Sequence, residues 1–163
     1  MTLIADASSL ILLAKAEILS ALIEKNEIII PEKVHEETAR GKEKGMPDSF
    51  LIEKLIEENK IKVEKADEKT KGKVKEMFGL WAGEGEALSL AIEHNKPIIT
   101  DDKKCINAAK AANISFMTSP DITIALFQKK QIDKKKAVFA IEKLEEAGWY
   151  KKEIIEIYKE KIK

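Results

Sequence analysis

The chain has 163 residues, 44% hydrophobic and 36% charged, with 29 Lys plus Arg against 29 Asp plus Glu for a formal net charge of zero. That length suits one domain with a full core. The neutral balance excludes charge-driven disorder and a protein that coats nucleic acid through bulk positive charge, whose pI usually exceeds about 9. Any polyanion must be met through a local patch.

Short β-branched runs alternate with helical patterns. In chain order they predict a strand at Leu3–Asp6, a helix near Ser9–Lys25, a strand at Ile28–Ile30 and a helix near Glu32–Lys44. A helix near Ser49–Asn59, a strand at Ile61–Val63 and helices near Glu68–Phe78 and Glu84–Asn95 follow. A strand at Pro97–Thr100, a helix at Lys103–Ala112 and a strand at Ile114–Met117 come next, and helices near Asp121–Lys130, Lys134–Ala147 and Lys151–Lys163 end the chain. Gly45–Asp48 and Gly79–Gly83 read as breaks. Strands separated by helices need right-handed crossovers, which place helices on both faces of a parallel sheet. The expected fold is a three-layer α/β/α sandwich with a four- to five-stranded parallel sheet, one domain over residues 1–163. Its C-terminal helices, from about residue 120, cover the sheet or form a dimer interface.

Arg40 is the only arginine beside 28 lysines, and 22 Glu outnumber 7 Asp. Lys/Glu enrichment accompanies hyperthermophile proteins, so a thermophilic origin is expected, with an AT-biased genome as the plainer source of lysines. A single Cys105 excludes an intrachain disulfide and a Cys-based zinc site, and neither His35 nor His94 has zincin spacing. The start, MTLIADASSL, lacks a basic region, and the longest apolar runs fall well short of the ~20 residues of a membrane span. A cytoplasmic protein with no membrane partner is expected.

In open parallel sheets ligands bind beyond the carboxyl ends of the strands. Asp6, Asp101 with Asp102, and Ser119 with Asp121 stand there, and no Gly-rich phosphate loop follows any strand. Asp6 alone reads as a helix N-cap. Asp101 and Asp102 leave one carboxylate over after one of them caps a helix. Glu37 lies three residues after Val34, on the face that packs on the sheet, whereas Glu36 shares a face with Glu32 and Arg40. Glu84 leads the apolar stripe Ala87, Leu88, Ala91, while Glu86 aligns with Ser89, Leu90 and Glu93. Carboxylates gathered on one edge repel and raise each other's pKa unless a cation neutralises them, and Mg²⁺ or Mn²⁺ suits such oxygen ligands.

The runs LIADASSLILLAKAEIL, IIIPEKVHEETA and GEGEALSLAIEHNKPIITDDKKCINAAKAANI resemble, in order, the PIN domain superfamily, nearest its prokaryotic VapC-like and stand-alone archaeal branch. The tail SPDITIALFQKKQIDKKKAVFAIEKLEEAGWY is similar to that branch's C-terminal helices. The resemblance implies four site acids, Asp6, Glu37, Glu84 and Asp101, holding one or two Mg²⁺ or Mn²⁺ ions. The third acid is often Asp among relatives and is Glu here. Ser8 and Thr100 match supporting hydroxyl positions, and Asp102 and Asp121 join as supporting acids, Asp121 reading equally as a first-turn helix carboxylate.

The implied activity is metal-dependent hydrolysis of RNA phosphodiester bonds by an endoribonuclease. Such an enzyme is either an RNA-processing nuclease or the toxin of a toxin–antitoxin pair, with a small antitoxin and a second copy of the chain as partners. Lys103 and Lys104 are the expected RNA contacts, followed by Lys42 and Lys44. Trp81 reads as a hydrophobic plug under its loop, with base stacking as the alternative. Two other functions stand beside this one. The first is an antitoxin-binding regulatory module with little nuclease activity; the second is a Mg²⁺-dependent phosphatase-like hydrolase, against which no Asp-x-Asp motif lies near the first strand.

Overall fold

A computed structural model describes residues 1–163. The chain runs β1 (Thr2–Ala5), α1 (Ala7–Lys15), α2 (Leu19–Lys25), β2 (Glu27–Pro31), α3 (Glu32–Glu43), α4 (Pro47–Glu57), β3 (Ile61–Glu64), α5 (Glu68–Phe78), α6 (Ala82–His94) and β4 (Ile98–Ile99). It ends with α7 (Lys103–Ala111), β5 (Phe116–Met117), α8 (Ser119–Gln128), α9 (Lys134–Glu146) and α10 (Lys152–Glu160).

The five strands are all parallel in the order β3-β2-β1-β4-β5, with Leu3 opposite Ile28 and Ile4 opposite both Ile29 and Ile98. Side chains alternate across a strand, so each strand feeds two cores. Leu3, Ala5, Ile28, Ile30 and Ile99 face the larger one, built with α1, α2, α4, α8 and α9. Ile4, Ile29 and Ile98 face the smaller one, built with α5, α6 and α7. Both faces of these strands are covered, which is why they read in the sequence as unbroken apolar runs.

The chain leaves β1 for the larger core through α1, and leaves β4 for the smaller core through α7. Adjacent strands whose following helices go to opposite faces open a crevice at their carboxyl ends. Asp6 and Thr100–Asp102 lie at that crevice.

The expected Ser9–Lys25 helix is two helices, broken at Glu17, which takes a left-handed φ of 59°. The Ile18 N–H bonds the Leu13 carbonyl and the Glu17 N–H the Ala14 carbonyl, closing α1 without a glycine or proline to announce it. The Gly45–Asp48 break falls between α3 and α4, where Pro47 opens α4. The plug reading of Trp81 is overturned. Between Gly79 (φ 64°) and Ala82 (φ 56°) the chain turns so that Leu80 goes into the smaller core and Trp81 stands 64% exposed.

Candidate functional site at the carboxyl edge

Six of the seven aspartates sit at helix starts. Asp6, Asp67, Asp102 and Asp133 cap α1, α5, α7 and α9. Asp48 is in the first turn of α4, and Asp121 forms a capping box with Thr118 on α8. Asp101 alone lies outside a helix start of its own, and it is buried, at 9% exposed.

Asp6 is 1% exposed. The Ser9 N–H (2.9 Å) and Ser8 hydroxyl (3.3 Å) donate to its Oδ1, and the Thr100 hydroxyl donates to Oδ2 at 2.7 Å. The predicted supporting positions Ser8 and Thr100 therefore both touch Asp6. Burial pushes its pKa up to about 6, against the lowering pull of those hydrogen bonds, with the Asp101 charge adding to the rise.

Asp101 is enclosed by donors from three distant segments. The Ser119 N–H (2.8 Å) and the Tyr150 hydroxyl donate to Oδ1, while the hydroxyls of Ser119 (2.6 Å) and Ser9 (2.8 Å) donate to Oδ2. Ser9 thus serves both acids, by its N–H to Asp6 and its hydroxyl to Asp101. Asp121 is held alongside. The Thr118 N–H donates to its Oδ2 (3.0 Å) and the Tyr158 hydroxyl to its Oδ1 (2.8 Å). Burial, then the interactions with these acids, raises both tyrosines, Tyr158 to about 12. Nothing in the local sequence points to the tyrosines, which lie beyond α9.

Glu37 and Glu84 form the other half of the edge. Glu37 projects from α3 toward the first turn of α6, where a Cβ on Gly83 would come within 2.7 Å of its Oε1. The missing side chain lets α3 and α6 bring two carboxylates together. Desolvation, then repulsion from Glu84, raises the Glu37 pKa, while Arg40, Lys33 and the Gly83 N–H pull it down. Glu36 pairs instead with Lys33 (3.3 Å), and Glu86 with Lys71 (3.0 Å). Helical phase in the sequence separates Glu37 from Glu36 and Glu84 from Glu86 in the same sense.

Asp102, next to the expected fourth acid, lines a cleft of about 290 Å³ with Glu84, Trp81 and Lys104. Beneath lies Cys105, fully buried, its thiol pushed up to about 12 by burial first and then by the negative charges of Asp6, Asp102 and Glu84. The structure therefore divides Asp101 and Asp102: Asp101 turns into the hydroxyl network of α8 and the C-terminal arm, and Asp102 faces the cleft with Glu84. No three Asp, Glu, His or Cys side chains converge at metal-ligand spacing. The donor set is all carboxylate oxygen, and none of Asp6, Glu37, Glu84, Asp101 or Asp102 takes part in any of the ion pairs that engage the Lys/Glu surface. Hard divalent ions suit such donors. Of the expected RNA contacts, Lys103 is exposed beside Asp102, Lys104 donates to the Gly79 carbonyl (2.9 Å), Lys42 pairs with Glu57 (4.0 Å) and Lys44 caps the end of α3.

A five-stranded parallel sheet with acids at its switch point defines an α/β protein with an acidic edge. The chain belongs to the PIN domain family, whose profile matches residues 2–162. PIN domains are generally nucleases that work with divalent metal ions. Among solved structures, a chain of the VapBC2 complex from Rickettsia felis, crystallised with a DNA fragment from its promoter, is similar at 21% identity. The match covers 72% of this chain and 98% of that one, with a TM-score of 0.49. No curated protein matches. No helix is long and apolar enough to cross a membrane.

Proposed function

We propose that residues 1–163 form one nuclease domain that hydrolyses RNA phosphodiester bonds endonucleolytically with Mg²⁺ or Mn²⁺. Asp6, Glu37, Glu84 and the Asp101–Asp102 pair would hold one or two ions. A divalent ion held there supplies an activated water and neutralises charge on the scissile phosphate. The chain's own groups do the rest. Thr100, Ser8 and the Ser9 N–H fix the Asp6 carboxylate, Gly83 lets Glu37 approach Glu84, and Ser119, Ser9 and Tyr150 hold Asp101. Lys103 and Lys104 bring cationic charge to the edge where RNA phosphates arrive. With few histidines and none at the edge, no imidazole base is required.

The observation that carries this reading is the gathering of carboxylates at the switch point of the sheet, with Asp6 and Asp101 buried there and no cationic side chain paired with either. The test is cleavage of a fluorescently labelled single-stranded RNA with Mn²⁺ by wild type, Asp6→Asn and Glu84→Gln. Loss of cleavage in both variants with an intact fold is the expected result, and retained Mn²⁺-dependent cleavage in Asp6→Asn overturns the assignment.

As the toxin of a toxin–antitoxin pair, the chain would bind a small antitoxin and a second copy of itself. The exposed apolar residues Phe139, Trp149, Ile154 and Ile157 of the C-terminal region are the surface this reading gives to them. Sedimentation as a monomer removes the homodimer.

A further inference from the structure

Trp81 stands between two clefts, and the wall it forms is unlike the rest of the surface. On one side is the carboxylate cleft with Glu84, Asp102 and Lys104. On the other is a cleft of about 380 Å³ between α5 and α6, with Leu80, Trp81 and Ala82 on its apolar side and Lys71, Lys75 and Glu86 at its rim. Resting on the nuclease reading above, we propose that Trp81 is a stacking platform for one nucleobase of single-stranded RNA, seated in the α5–α6 cleft beside the scissile phosphate.

Several observations carry this. The indole is 64% exposed where two clefts meet, so a ring face is open to a partner, and it is stiffened. The Lys104 ammonium lies 5.7 Å from its ring centre and is tied to the Gly79 carbonyl at 2.9 Å, so one side of the ring is met by a fixed cation. The α5–α6 cleft also has no net charge, since Glu68 and Glu86 offset Lys71 and Lys75, and Lys71 bonds both acids (2.8 and 3.0 Å). A neutral cleft with an apolar wall and polar rim suits an uncharged aromatic base rather than a phosphate. Phosphates would follow the ring's other side, where Lys104 and Lys103 lie. Finally, Gly72 lines this cleft from the middle of α5, where glycine weakens a helix relative to alanine, and no atom lies within 4 Å of where its Cβ would be. Packing does not ask for glycine there, and a side chain at this position would stand in the cleft's open space.

Stacking of one base is sequence-tolerant, so the platform would position RNA without choosing its sequence. It is a binding residue and touches no reacting atom.

The test uses the full chain in EDTA, so that binding is read without cleavage. In a Trp149→Phe background Trp81 is the sole tryptophan, and a 12-nucleotide single-stranded RNA should quench its fluorescence saturably. By anisotropy of the labelled RNA, Trp81→Ala should bind about 5- to 150-fold more weakly. Trp81→Phe should stay within about 3-fold, and Gly72→Leu, which fills the cleft from α5 while leaving the indole intact, should also bind at least about 5-fold more weakly. An oligonucleotide of abasic residues should not distinguish wild type from Trp81→Ala. Equal RNA affinity of wild type and Trp81→Ala overturns the platform even if Mn²⁺-dependent cleavage is found, which leaves the nuclease reading standing. Failure of the wild type to bind or cleave any RNA brings down the nuclease reading itself.

Discussion

Replacing Asp6 by asparagine should make the metal-free protein more stable while removing its activity. The Asp6 carboxyl is buried and its pKa is raised from 3.8 to about 6. The folded protein therefore holds this proton more tightly than the unfolded chain. As pH rises from about 4 to 6 the folded state must give it up, so stability falls across that window and the loss is complete above it. A rise of about 2 units corresponds to about 3 kcal/mol at neutral pH. The asparagine side chain carries no charge and so avoids that cost. Its Oδ1 still accepts the Ser9 N–H, but its amide nitrogen cannot accept the buried Thr100 hydroxyl, an offset of about 1–2 kcal/mol. The net gain is about 1–2 kcal/mol. At about 0.34 kcal/mol/K for a chain of this length, that is a Tm higher by about 3–6 °C. Thermal unfolding by circular dichroism in EDTA at pH 4.5, 6 and 7.5 reads it. The variant should gain on wild type as pH rises, and Mn²⁺ should raise the Tm of wild type only. An Asp6→Asn variant no more stable than wild type at pH 7.5, or a gap that does not change with pH, refutes the reasoning.

Gly83→Ala puts a Cβ 2.7 Å from Glu37 Oε1, a contact the flexible carboxylate relieves by moving. The Tm should stay within about 3 °C, because alanine favours the helix by up to about 1 kcal/mol, while RNA cleavage falls at least about 10-fold; unchanged cleavage rates would show that the Glu37 position does not matter. Tyr150→Phe removes one donor from the Asp101 carboxylate and should lower the Tm by about 4–9 °C, as loss of a bond to a charged group costs about 1.5–3 kcal/mol. An unshifted Tm would mean that the tyrosine does not anchor the arm. Cys105, buried and with its thiol pushed up to about 12, should react with a thiol reagent only after denaturation, and stoichiometric labelling of the native protein within minutes would contradict its burial.

The architecture was legible because strand and helix alternate with clear periodicity, and helical phase also foretold that Glu37 turns inward with the fully buried Val34 while Glu36 meets Lys33. What escaped depends on distance along the chain or on backbone details that leave no residue signature. Asp101 and Asp102 are neighbours in sequence, and only the positions of Ser9, Ser119 and Tyr150 decide which one turns inward. Tyr150 lies 49 residues from the acid it touches. The break at Glu17 uses a left-handed residue of a type that gives no warning. Trp81 has the sequence character of core because a large apolar side chain is usually buried; its neighbour Leu80 fills the core position instead.

The C-terminal arm also makes the two halves of the edge separable. Tyr150 and Tyr158 donate to Asp101 and Asp121, so the wall nearest β5 is complete only while the segment after α9 is docked. Local opening of that segment would take these donors from Asp101 and Asp121 and leave the bonds that hold Asp6 untouched, because those come from Ser8, Ser9 and Thr100. Order on one side of the acidic edge is therefore coupled to the docking of α10, and order on the other side is not.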